Sequence, residues 1–259
     1  MSERALIVGA SSGIGREFSL TLAKTKRALI LVARRLEPLE ALKQEIQQIS
    51  DVHVEIVSAD LSQPNAGTQL LQRCPDADML VYSAGDGYPG EFGSRDLEFD
   101  QSLIQLNCLS PMEICHGLIA RLKSSSSAGD IILISSTMGF QGIPYMAQYS
   151  ATKGYMINFG EAIYHECRSF GINVLTLAPG ATNTPAKEKY DVDYDSLPIN
   201  WMEPERVVRE SLQQLGKRAV FVPGKRNRMS VCLSSGLISR GFIQKQLSKL
   251  ARRTIPTLR

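Results

Sequence analysis

The chain has 259 residues, 43% hydrophobic and 21% charged, with a net charge of +3: an ordinary globular composition with ample apolar material for a core. Its five cysteines (Cys74, Cys108, Cys115, Cys167, Cys232) are an odd set without Cys-x-x-Cys spacing. That argues against a disulfide framework or a zinc site and for a reducing, cytoplasmic setting. No apolar run approaches the ~20 residues of a membrane span, and the first strand-like run begins too early to leave room for a signal peptide.

In chain order, Ala5–Val8 reads as a strand and Gly13–Lys24 as a helix, then Ala28–Val32 as a strand and Pro38–Ile49 as a helix. Val52–Val57, which contains His53, is a third strand, followed by a shorter helix across Asn65–Arg73. Met79–Val81 precedes a loop with Gly and Pro over 85–93 and helices through Arg121; Ser124–Ser127 breaks the pattern before a strand at Ile131–Ile134. A long helix is predicted from Ala147 to Phe170, then a strand at Ile172–Leu177, a polar irregular stretch over 181–202, a helix from Glu203 and a strand at Ala219–Val222. Near-continuous apolar strands alternating with helices predict one α/β domain over 1–259. Its core would be a Rossmann-type, doubly wound parallel sheet of about seven strands with helices on both faces.

Three local patterns carry chemistry. Tyr149 and Lys153 stand four apart, one above the other on a helix face. A tyrosine titrates near ~10, and an ammonium beside it favours the phenolate, which makes a usable acid/base. The same pair also fits a half-exposed helix with no chemistry. Gly9, Ser11, Ser12, Gly13, Ile14 and Gly15 lie in a turn that opens a helix after the first strand. Glycines there let helix N-terminal amides meet a pyrophosphate, although a plain tight turn has the same look. At the end of the second strand stand Arg34 and Arg35, where an NAD-preferring site would carry an acid. An arginine there can grip a 2′-phosphate bidentately, so NADP(H) is favoured over NAD(H), although both arginines also fit solvated residues capping the next helix.

With these residues and Ser136 in view, the chain resembles the classical short-chain dehydrogenase/reductase family over about residues 4–185. Ser136 lies thirteen residues before Tyr149, the family's interval for its active-site serine; Ser135 is one place off. Asn107 matches the asparagine that completes the family's tetrad. The resemblance implies hydride transfer between the nicotinamide of NADP(H) and a small-molecule carbonyl or secondary alcohol. It implies that Tyr149 is the general acid/base and that Lys153 lowers its pKa and holds the nicotinamide ribose. Ser136 would orient the substrate, and Asn107 would support a proton-relaying water. It also implies cofactor contacts at Asp60, Leu61, Ala84, Gly85, Pro179, Gly180 and Thr184, a specificity lid over 181–202, and a homodimer or homotetramer. Two positions depart from the family pattern: Val8 replaces a threonine and Ser83 an asparagine.

Two features bear on partners. None of His53, His116 and His165 pairs at metal-ligand spacing, so no metal is expected. From Ser211 to Arg259 there are eleven Lys/Arg and no Asp/Glu, so residues 1–210 carry +3 less eleven, or −8. Phe242, Ile243, Leu247 and Leu250 are expected on one side of a tail helix, with Lys245, Lys249 and Arg252 opposite. That pattern suits packing on the chain's own domain or on a sister subunit, the favoured reading, and also a membrane surface. No nucleic-acid partner is expected. The alternatives to a cytoplasmic reductase are a non-catalytic nucleotide sensor or scaffold and a membrane-surface reductase of lipid-like carbonyls.

Overall fold

The computed structural model describes residues 3–190, 192–194, 196–197, 199–234 and 238–258. Seven strands, β1 (Arg4–Val8), β2 (Ala28–Ala33), β3 (Val54–Ser58), β4 (Met79–Tyr82), β5 (Gly129–Ile134), β6 (Ile172–Leu177) and β7 (Val220–Phe221), form one parallel sheet in the order 3-2-1-4-5-6-7. Alternation along each strand supplies both faces: Leu6 and Val8 of β1 enter one core, Ala5 and Ile7 the other. Helices α1 (Gly13–Lys24) and α2 (Leu36–Ile49) cover the second face with Phe18, Leu22, Leu39 and Ile46. On the first face, α3 (Ala66–Arg73), α5 (Ser110–Ser124) and α6 (Ala147–Cys167) contribute Leu70, Ile114, Leu118, Met156 and Ile163. Between them runs α4 (Leu97–Ile104), and α7 (Pro204–Leu212) joins the second face through Val207 and Val208. The chain closes with α8 (Lys225–Cys232) and α9 (Arg240–Thr254).

Strand order reverses between β1 and β4, whose carboxyl ends therefore open a crevice, the usual ligand position of such sheets. The departures at Val8 and Ser83 meet there without breaking the sheet: Val8 is buried, and the Ser83 amide donates to the Val8 carbonyl at 2.8 Å. The predicted elements hold, with small shifts at the ends. One placement is corrected: His53 precedes β3 in irregular chain, where its carbonyl accepts from the Leu29 amide at 2.9 Å.

Candidate active site

The phosphate end is built by the turn from β1 into α1. Gly9 takes φ +84°, and a Cβ there would stand 2.5 Å from the Ala84 amide nitrogen, so only glycine lets the turn lie against β4. α1 then starts at Gly13 with no side-chain cap from Ser12 and no acidic residue in its first turn. Its leading amides face the cleft uncapped, a ready anion site. Arg34 and Arg35, exposed beside it at the end of β2, enter no ion pair among the described residues. Asp60 accepts from the Ser62 amide (3.1 Å) and hydroxyl (2.7 Å); its partial burial is outweighed by these bonds together with Gln63 and the charge of Arg34, which hold its pKa below the usual value. An uncapped helix start with exposed arginines beside it makes a cationic setting suited to a phosphate group.

The chemical end is carried by α6. Gly160 lets this helix close on β6, since a Cβ there would meet the Thr176 hydroxyl at 1.8 Å. One turn in from the helix start, Tyr149 and Lys153 face the crevice; Ser136 faces them from the start of a short helical turn, Thr137–Phe140. The Ser136 oxygen accepts from the Met138 amide at 3.1 Å, which fixes the hydroxyl and leaves its proton to donate. Ser135 instead donates to the Lys153 carbonyl at 2.7 Å and only braces the helix. Lys153, 5% exposed, donates from Nζ to the Ile134 carbonyl at 2.9 Å.

Asn107 sits on a π-turn (Gln105–Leu109) between α4 and α5. Its amide donates to the Asp86 carbonyl (2.8 Å) and the Thr152 hydroxyl (3.0 Å), and its oxygen accepts from the Asp86 amide (3.1 Å). A Cβ at Gly85 would lie 3.1 Å from Lys153 Nζ and 3.3 Å from Asn107 Oδ1, so the two groups converge on one point. The electrostatics differ from expectation. Burial dominates at both partners, raising the Tyr149 pKa and lowering that of Lys153 to about 8. Lys153 Nζ is 5.6 Å from the Tyr149 ring centroid, and the group that pulls the phenol back down is Ser136. The expected lowering of Tyr149 by Lys153 is therefore corrected: at this separation desolvation wins.

One cleft of about 850 Å³ joins the two ends. The candidate catalytic and cofactor-contacting residues all line it except Gly15 and Asn107, which stand behind its wall. Its outer part is largely apolar: Tyr190, Tyr194 and Trp201 come from the lid expected over 181–202, and Leu247, Leu250 and Ala251 of α9, not foreseen there, complete it. The tail helix thus packs on its own domain, as favoured. Phe242 is corrected, however, standing 57% exposed beside Lys245 and Lys249 rather than with Leu247 and Leu250.

The lid is tied at three places. Its base is zipped by Met202 and Ala181 (3.0 Å) and by Asn183 and Met202 (2.8 Å). Farther along, Lys189 pairs with Asp86, and the Tyr190 hydroxyl donates to the same carboxylate, which also accepts from the Gly87 amide at 2.8 Å. Finally, the Asp193 amide donates to the Thr254 carbonyl at the end of α9 (2.8 Å). Asp191 and Asp195 of the lid lie outside the described residues. No sequence signal marked Asp86 as a lid partner. Asp86→Asn, which keeps the size and removes the charge, should speed tryptic cleavage at Lys187 and Lys189 about three- to fivefold. Mass spectrometry of a digestion time course checks this, and an unchanged rate would show that Asp86 does not hold the lid.

Among the described residues no cluster of three or more His, Cys, Asp or Glu could hold a metal, and no helix is long and apolar enough to cross a membrane. A family model described as short chain dehydrogenase matches residues 3–195. A 7β-hydroxysteroid dehydrogenase of Clostridium sardiniense is 30% identical over 242 residues, 93% of this chain and 92% of that protein. A solved structure of a 7β-hydroxysteroid dehydrogenase superposes with a TM-score of 0.86 at 26% identity, covering 95% of this chain and 96% of the other. A short-chain dehydrogenase from Sphingobium yanoikuyae, solved with NADPH, does so with a TM-score of 0.79 at 28% identity, covering 95% of each chain.

Proposed function

The chain belongs to the short-chain dehydrogenase family, and from that premise we propose that it is an NADP(H)-dependent oxidoreductase of ring-bearing ketones or secondary alcohols. The observation that carries this is the meeting of Ser136, Tyr149 and Lys153 where the glycine-turn crevice joins the apolar outer cleft. When bound, the nicotinamide supplies or accepts the hydride. Ser136, its oxygen fixed by the Met138 amide, donates to the carbonyl oxygen and orients it. Tyr149, protonated at neutral pH and with its pKa raised further by burial, gives its phenolic proton to the developing alkoxide in reduction and takes it back in oxidation. Lys153, with Asn107 behind it, holds a positive charge beside that proton path. Aromatic and aliphatic side chains of the lid and α9 suit a flat apolar body, in keeping with the hydroxysteroid that names the similar enzymes.

The cofactor preference rests on Arg34. Titration with NADPH and NADH, following nucleotide emission, should show the tighter binding for NADPH. Arg34→Ala should weaken NADPH about ten- to a hundredfold while changing NADH by less than about threefold, as for loss of one charge-assisted contact to a phosphate. An equal loss for both nucleotides would overturn the preference.

A further inference from the structure

The outward faces of α8 and α9 have no role in the cleft, and they share one composition. Met229 is 62% exposed, Phe242 57%, Ile238 42% and Leu233 41%. On α9, Phe242, Lys245 and Lys249 follow one another at helical spacing and are all exposed, while Leu247 and Leu250 turn the other way into the cleft. On α8, Lys225, Met229 and Leu233 stack four residues apart, with exposed Arg226 alongside. Lys225, Arg226, Lys245 and Lys249 enter no ion pair among the described residues. The two helices meet at one corner: α8 packs on the Thr137–Phe140 turn, and Arg240 at the start of α9 donates to the Phe140 carbonyl at 3.3 Å. Both helices fall in the segment 211–259, which has eleven Lys/Arg and no acid in a chain otherwise net negative.

We propose that these outward faces of α8 and α9 dock the protein on an anionic lipid surface, with the apolar cleft opening beside the bilayer. The apolar groups project singly from convex helices rather than lining a groove, so they suit insertion into a soft planar interface better than reception of a protein segment. Lysine and arginine stems extend along such an interface while their heads meet lipid phosphates. A second copy is disfavoured as the occupant, because a two-fold contact would bring Lys225, Arg226, Lys245 and Lys249 against the same charges. The inner side of α9 forms a wall of the cleft, so an apolar molecule dissolved in lipid would reach the cleft without crossing bulk water.

The test is co-sedimentation of the full chain with vesicles of mixed phosphatidylglycerol and phosphatidylcholine, or of phosphatidylcholine alone, at low and high salt. The docking predicts binding to the anionic vesicles that weakens with salt, and little binding to the neutral ones. Lys245→Glu/Lys249→Glu and, separately, Met229→Ser/Phe242→Ser should each lower the partition coefficient at least about tenfold, the charges alone being worth about fivefold apiece. Circular dichroism melting of each variant confirms that it is folded. Absence of sedimentation with anionic vesicles, or equal binding to both vesicle types, would overturn the proposal. So would variants that bind like the parent. If the Met229/Phe242 variant instead shifts a monomer–dimer equilibrium in analytical ultracentrifugation while lipid binding is nil, the face is a contact between copies. None of these readouts depends on enzymatic activity.

Discussion

Tyr149→Phe is expected to lower kcat by about 10²- to 10⁴-fold, the usual worth of a positioned general acid, and to leave NADPH binding within about twofold. The substitution is clean because only the hydroxyl is lost. The ring still packs against Gly87, where a Cβ would stand 2.5 Å from Tyr149 Cδ2, and the hydroxyl's hydrogen-bond partner is Ser136. The melting temperature should therefore move by no more than about 2 °C. Steady-state rates, nucleotide titration and a melting curve together make the measurement. Activity within a few-fold of the parent would remove Tyr149 from the proton path. A parent protein that binds NADPH but turns over no carbonyl compound would favour the nucleotide-sensor alternative.

Lys153→Met is expected to remove turnover and yet make the folded protein more stable at neutral pH. Burial lowers the Lys153 pKa from 10.5 to about 8, so a charge is held in the fold at an unfavourable cost. That shift corresponds to about 3 kcal/mol at pH 7. Losing the 2.9 Å bond to the Ile134 carbonyl offsets roughly 1 kcal/mol, leaving a net gain of about 1–2 kcal/mol for Met. The sign with pH follows from proton counts. Between about 8 and 10.5 the unfolded chain holds more protons at this lysine than the folded one, so the parent gains stability as pH rises through that window. The advantage of the Met variant should therefore be full below pH 8, shrink above it and vanish by about pH 10.5. Urea melts of both proteins at pH 7 and 10 test this; a variant less stable at pH 7 would show that Lys153 is not a strained buried charge.

Much of the architecture is legible in the residues themselves. α1 runs over Gly13–Lys24 as predicted because a glycine turn starts it and the polar Thr25–Arg27 stretch follows it. The apolar runs read as strands because both faces of a parallel sheet are covered. What failed was of another kind. His53 carries a side chain that suits a strand edge as well as a loop, and the pairing of β3 with β2 starts one residue later. Phe242 was placed with the apolar side of α9 because hydrophobicity alone assigns faces. The observed face is set by which side chains meet the cleft wall, and Phe242 lies outside that arc. The Tyr149–Lys153 spacing suggested a direct charge effect. The rotamers place the ammonium on the Ile134 carbonyl instead, 5.6 Å from the ring.

The sequence by itself determined the alternation of elements, the phosphate turn, the arginines at the end of β2 and the Ser136–Tyr149–Lys153 spacing. Each of these is written in neighbours a few residues apart, where helix and strand periodicity act. Only the tertiary structure decided that Asp86 clasps the lid from 103 and 104 residues away, and that α9 turns Leu247 and Leu250 inward and Phe242 outward. It also decided that burial raises the Tyr149 pKa, with Ser136 as the group that opposes it. Contacts between distant segments and the loss of water around a side chain arise from how the elements pack, and no local pattern of residues encodes them.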